Sequence, residues 1–239
     1  MNKAIVLLSL LAVNTVFIYS LERESMEGII FKQNTSEIIY TQKEVIKEYE
    51  NSRQIEHIYY RTDGSKAAQE SVLLIDNELV YYETILDDLG MRGTIRREED
   101  KMIISYNVDN ILRERSIKWR EGLVAGPMLG GFIIENRERV QQGEQIEFLL
   151  PFFDRQLLIP FKLNYIESDE SEIEKEIIIE MKLKNFFLGM LVEPIEFVLD
   201  SSDGTIKEIH GPTILPDPQN SDKNQMLFAD IFYSYKGAL

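Results

Sequence analysis

The stretch Ile173-Glu174-Lys175-Glu176-Ile177-Ile178-Ile179-Glu180-Met181-Lys182-Leu183 decides the fold class. Ile173, Ile177, Ile179, Met181 and Leu183 fall on one side of a period-two pattern, and Glu174, Glu176, Glu180 and Lys182 on the other. Successive strand side chains point to opposite faces, so this stretch reads as a strand with one dry and one wet face. That is the habit of antiparallel sheets. Lys175 and Ile178 break the pattern, one on each face. The wet face mixes signs, which suits cross-strand pairing.

The same alternation recurs on both sides of this stretch. Strands are expected at 28–32, 36–49, 52–61, 66–75, 79–86, 91–98, 101–108 and 113–120, and again at 144–150, 157–166, 195–199, 205–210 and 225–235. Asp63-Gly64 and Asp203-Gly204 sit between them, where glycine supplies the positive φ of a tight turn. Asp76-Asn77 is a weaker turn of the same kind, residues 86–90 read as a loop, and 168–172 as an acidic hairpin turn. Pro212, Pro216 and Pro218 make 212–224 read as a loose loop. One helix interrupts the series. Pro127 stands at a first helical position, Leu129, Phe132, Ile133 and Val140 follow near helical spacing, and Gly143 is a natural stop. The expected architecture is mainly β: a curved antiparallel sheet closing toward a barrel or half-barrel, with one short helix near 127–142. Residues 21–239 are read as a single antiparallel β domain.

Residues 1–20 read differently. Lys3 gives a positive start, Ala4 to Ile18 is mostly apolar, and the first acid is Glu22. This is the layout of a secretory signal, although no Ala-x-Ala cleavage site is present. The segment is therefore expected to be a secretion signal or an N-terminal anchor, and the protein to be exported to the periplasm or beyond. Membrane contact is expected only through that segment if it is not cleaved.

The chain of 239 residues carries 26 basic and 41 acidic residues, a net charge of −15. Such a field repels phosphate backbones, so no nucleic-acid partner is expected. The chain has no cysteine. That excludes a disulfide framework, a thiolate metal site and a cysteine nucleophile.

Several short motifs resemble a family of uncharacterised exported bacterial β-rich proteins. They are Tyr40 near a strand opening, Tyr60-Arg61-Thr62-Asp63-Gly64, the helix, Gly143-Glu144 with Phe148, Pro160-Phe161, and Gly211-Pro212 before a closing strand. The resemblance implies an architecture over roughly 36–235 and no activity. The layout also resembles curved-sheet periplasmic proteins that hold apolar ligands.

Chemistry-bearing motifs are sparse. His57 and His210 are the only histidines, neither at metal-ligand spacing. His57 is read as lying on a sheet face, and His210 as capping a strand end. Gly-x-Ser-x-Gly is absent, and no lysine follows Gly122–Gly131 at phosphate-loop spacing. No catalytic residue, metal or cofactor is expected. The strongest functional signal is apolar: Phe186-Phe187-Leu188-Gly189-Met190-Leu191-Val192, and Leu149-Leu150-Pro151-Phe152-Phe153. Either these are strands buried on both faces, or they line a cavity or groove. Trp119 then sits at the mouth of such a cavity or caps the core.

The leading functional reading is an exported, non-catalytic protein that binds an apolar, lipid-like ligand or a protein partner of the envelope. Phe152, Phe153, Phe186, Phe187 and Met190 are the expected contacts. Two alternatives stand beside it. One is a hydrolase using carboxylates with His210, and the other an envelope scaffold with no small ligand.

Overall fold

The computed structural model describes residues 21–166, 176–185, 192–220 and 225–236. Among them, fourteen strands run in chain order. The first eight are β1 (Leu21–Lys32), β2 (Ile38–Glu48), β3 (Ser52–Arg61), β4 (Lys66–Ile75), β5 (Glu78–Leu86), β6 (Met91–Glu98), β7 (Lys101–Val108) and β8 (Ile111–Lys118). A 3-10 turn at Gly126–Met128 leads into the helix α1 (Leu129–Gln141). The last six are β9 (Ile146–Phe152), β10 (Leu157–Ile166), β11 (Glu176–Leu183), β12 (Ile195–Asp200), β13 (Ile206–Pro216) and β14 (Met226–Tyr235).

All fourteen belong to one antiparallel sheet in the order β8-β7-β6-β5-β4-β3-β2-β1-β14-β13-β12-β11-β10-β9. Two meanders, β1 to β8 and β9 to β14, meet where β1 pairs with β14. The sheet curves but does not close by hydrogen bonding, because β8 and β9 remain its two edges.

Local sequence accounts for the elements. In β11, Ile177, Ile179 and Met181 are buried while Ile178, Glu180 and Lys182 are only partly covered, as the alternation requires. Asp76 and Asn77 both take positive φ, as do Asp109 and Asn110, the signature of two-residue hairpin turns matched to strand twist. Pro127 sets the 3-10 turn, and Gly143 with φ +85° follows the helix end.

Two expectations are corrected. Residues 212–216 are not part of a loose loop. β13 continues through Pro212 to Pro216, with Leu215 buried and the Tyr40 hydroxyl donating to the Pro216 carbonyl at 3.1 Å. The prolines are tolerated because β12 pairs with β13 no further than His210, so beyond it β13 has a sheet partner on one side only, as an edge strand has. His210 consequently lies inside a strand rather than at its end. The acidic turn at 168–172 lies outside the described residues.

Candidate functional site

The concave face of β2 to β6 is built in belts. At one level lie Gln42, Tyr59, Ala68 and Leu86, the last three part of one apolar cluster that also holds Tyr40. Two strand levels further along lie Ile46, Ile55, Val72, Tyr82 and Ile95, part of another. Between them runs a polar row set by register: Glu44 opposite His57, His57 opposite Glu70, Glu70 opposite Thr84 and Thr84 opposite Gly93.

The row is hydrogen-bonded throughout its centre. The Tyr59 hydroxyl donates to Glu70 at 3.0 Å, and the Tyr82 hydroxyl donates to the other carboxylate oxygen. Burial, then the Glu70 charge, pushes both tyrosine hydroxyls well above their ordinary range. Glu70 itself is 3% exposed, so it exchanges water for these two donors; a carboxylate left unpaired there would cost several kcal/mol. His57 Nε2 lies 3.0 Å from Glu44, whose other oxygen accepts from Ser25. Burial raises the Glu44 carboxyl, but the His57 and Ser25 bonds outweigh it and hold the group below its ordinary value. Serine and histidine meet here through the acid and not directly, so this is not the order in which histidine deprotonates a serine nucleophile.

The second histidine sits across β13 and β14. Its Nδ1 lies 2.8 Å from Asp230 and its Nε2 3.1 Å from Glu208. Carboxylates do converge on His210, and they occupy both ring nitrogens.

The chain fills its own concavity. α1 presents Ile133 and Val140 to Phe148, Leu163, Ile179 and Phe197. The segment ahead of α1 lies over the polar row: a Cβ on Gly126 would stand 2.2 Å from Glu70 Oε1, so only glycine allows that approach. The β9–β10 hairpin folds over β5 and β6, where a Cβ on Gly93 would stand 2.5 Å from the Phe153 ring.

The expected contact residues divide accordingly. Phe153 is buried, its ring centroid 5.5 Å from that of Tyr82. Phe152, next to it, is exposed and pairs across the hairpin with exposed Leu157. Phe186, Phe187 and Met190 lie outside the described residues. Trp119 packs against the cluster that holds Ile55, Val72 and Ile95, with the Arg97 guanidinium 4.3 Å above its ring.

What sequence reasoning missed is the seam. The β9 edge is covered by residues 122–124, through Leu149 N–H to Gly122 O at 2.8 Å and Val124 N–H to Leu149 O at 2.9 Å. The β8 edge has no strand partner beyond β7 among the described residues. Gln156, in the β9–β10 turn, reaches across to donate to the Ile104 carbonyl at 3.0 Å, and Arg115 reaches the Gln156 carbonyl at 3.5 Å. An open depression of about 440 Å³ is left there. Arg115, Ile117, Lys118 and Arg120 line one wall, and Gln156, Leu157 and Leu158 the other. The readable signal was β8 itself, where Arg113 and Arg115 take inward positions that a buried strand would fill with apolar residues.

No protein-family model matches the chain, and no curated protein matches it. A beta-barrel-like protein of a domain of unknown function from Brucella abortus superposes with a TM-score of 0.40 at 11% identity, covering 89% of this chain and 95% of that one. A putative outer membrane lipoprotein-sorting protein domain from Vibrio parahaemolyticus superposes with a TM-score of 0.26 at 11% identity, covering 91% and 86%. Superpositions this loose carry no argument about ligand or activity.

Proposed function

We propose that this is an exported, non-catalytic binding protein of the bacterial envelope, and that it engages its ligand or partner at the seam between β8 and the β9–β10 hairpin. Export rests on the sequence of residues 1–20. Binding at the seam rests on one observation: the sheet stops short of closure beside a depression lined by apolar Ile117, Leu157 and Leu158 together with the cations Arg115, Lys118 and Arg120. Pockets of this make-up, mostly apolar with a few placed charges, are the usual setting for recognition. The interior supports a carrier reading less well, because α1, the Gly126 segment and Phe153 already occupy the concave face.

The test uses the full chain in its native host. A photoreactive side chain at position 157 is compared with one at position 29, on an exposed residue of β1. Native mass spectrometry of the purified protein runs alongside. A protein adduct from 157 and not from 29 supports partner binding. A bound small apolar molecule whose retention is lost in Leu157→Asp supports ligand binding. Equal labelling at both positions with no retained molecule overturns the proposal.

A further inference from the structure

The seam has a charge of its own. Eleven arginines have described side chains. Eight lie within 4.0 Å of a carboxylate: Arg53, Arg61, Arg92 and Arg96 among the early strands, and Arg97, Arg137, Arg139 and Arg155 beyond them. The three that do not are Arg113, Arg115 and Arg120, all in β8 or just after it. Lys118, at the end of β8, likewise meets no carboxylate among the described residues. The nearby acids are Glu114, which accepts from Ser105 at 2.8 Å, and exposed Glu121. In a chain with 41 acids against 26 bases, pairing a guanidinium is easy. Four cations that meet no carboxylate among the described residues give that edge a positive sign in a molecule that is otherwise acidic.

Register fixes where these cations point. Ile117 stands opposite buried Met102, Arg115 opposite buried Ile104, and Arg113 opposite Tyr106. Ile111, Arg113, Arg115 and Ile117 therefore share the concave side, and Leu112, Glu114, Ser116 and Lys118 the other. All of β8 but Ile117 is exposed, and its outer edge has no strand partner among the described residues. Charge on an edge strand normally guards against pairing with other edges. A guard made of cations is selective: it turns away cationic strands and attracts anionic ones.

We propose that β8 accepts an extended acidic segment of a partner protein as a fifteenth strand, closing the seam by β-augmentation. Main-chain bonds to the free edge would supply affinity, and alternate side chains specificity. On the concave side the segment carries acids opposite Arg115 and Arg113, with apolar residues opposite Ile117 and Ile111. Leu157 and Leu158 then cover the apolar residue opposite Ile117. This names the partner chemistry for the proposed binding seam and rests on that reading.

The probe is the synthetic peptide Asp-Val-Thr-Glu-Thr-Glu-Val-Val, which carries this pattern when laid antiparallel to β8. Amide hydrogen exchange of the full chain is followed with and without it. At ten times its Kd the peptide slows exchange at the outward amides of 111–118 by about tenfold. The effect weakens with added salt, because exposed charges are screened. The same peptide with lysine for every acid gives no protection. In Arg113→Glu/Arg115→Glu, checked for an unchanged circular dichroism spectrum, the preference inverts and the lysine peptide protects. Protection that ignores peptide sign, or that falls outside 111–118, overturns strand addition. Protection of β8 by phosphatidylglycerol vesicles but not by the peptide also overturns it, in favour of a membrane surface. Crosslinking from position 157 without β8 protection removes strand addition and leaves seam binding standing. β8 protection without crosslinking removes the cellular reading instead.

Discussion

The fit of Phe153 onto Gly93 can be tested as a coupled pair. In Gly93→Ala the new methyl carbon would stand 2.5 Å from the ring carbon it faces. Carbon contacts are comfortable at about 3.5–4.0 Å, so the ring must retreat by about 1 Å. Overpacking of that kind costs about 1–3 kcal/mol, and 2 is a fair centre. Phe153→Ala removes a ring that is 8% exposed and rests on Tyr82. Such truncations cost about 3–5 kcal/mol; this ring ends a hairpin beside exposed Phe152 and Leu157, which can settle inward, so about 3 is expected. In the double variant the clash has no partner and the added methyl fills part of the hole. The pair should therefore cost about 3 kcal/mol, not the sum of about 5, a coupling of about 2. Urea unfolding of the four proteins by circular dichroism gives the comparison. Costs that add to within about 0.5 kcal/mol would refute the contact.

Glu70→Gln leaves one of the two buried tyrosine donors facing an amide NH2 in place of an acceptor oxygen, and should cost about 1–3 kcal/mol in urea unfolding. It should also lower the onset of tyrosinate absorbance on alkaline titration, because the Glu70 charge helps hold Tyr59 and Tyr82 up. Glu44 is held below its ordinary 4.5, so it contributes stability above that pH and loses it as the pH falls further. Glu44→Gln should flatten the acid limb of the urea midpoint below pH 4.5. Burial and then the Asp88 charge push Tyr40 up to about 12. Its neutral form is favoured on folding, so its contribution is full below pH 10 and is lost as the pH rises toward 12. Tyr40→Phe should flatten the urea midpoint across that alkaline window, at the cost of the bond to Pro216.

The strands were legible because one face is greasy and the other wet, and because turns such as Asp76-Asn77 announce themselves. β3, β4, β6, β7 and β10 begin and end where the alternation does. Pro212 misled because proline counts against a strand by propensity, whereas β13 has a partner on only one side beyond His210, which removes the objection. Glu70 was readable in principle: Ala68, Glu70, Val72 and Leu74 share a side, and a carboxylate on the apolar side of a strand calls for donors. Which donors could not be read, since Tyr59 and Tyr82 arrive from neighbouring strands by register. The apolar run Leu149 to Phe153 reads as one unit, but the hairpin splits it, sending Phe153 inward and leaving Phe152 exposed. The seam depends on how far the sheet bends, which no local pattern encodes.

Every ladder in the sheet joins strands consecutive in the chain, save one. β1 and β14 align from Met26 with Tyr235 to Lys32 with Ala229, about two hundred residues apart. Hairpins close cheaply, whereas tying that distant pair costs about 2.7 kcal/mol more in chain entropy than a ten-residue loop. Two wings can thus zip independently and early, and one clasp welds them late. Refolding speed should hinge on that clasp and be nearly indifferent to changes at the wing tips, so the region left open for recognition is also the one where sequence can drift at least kinetic penalty.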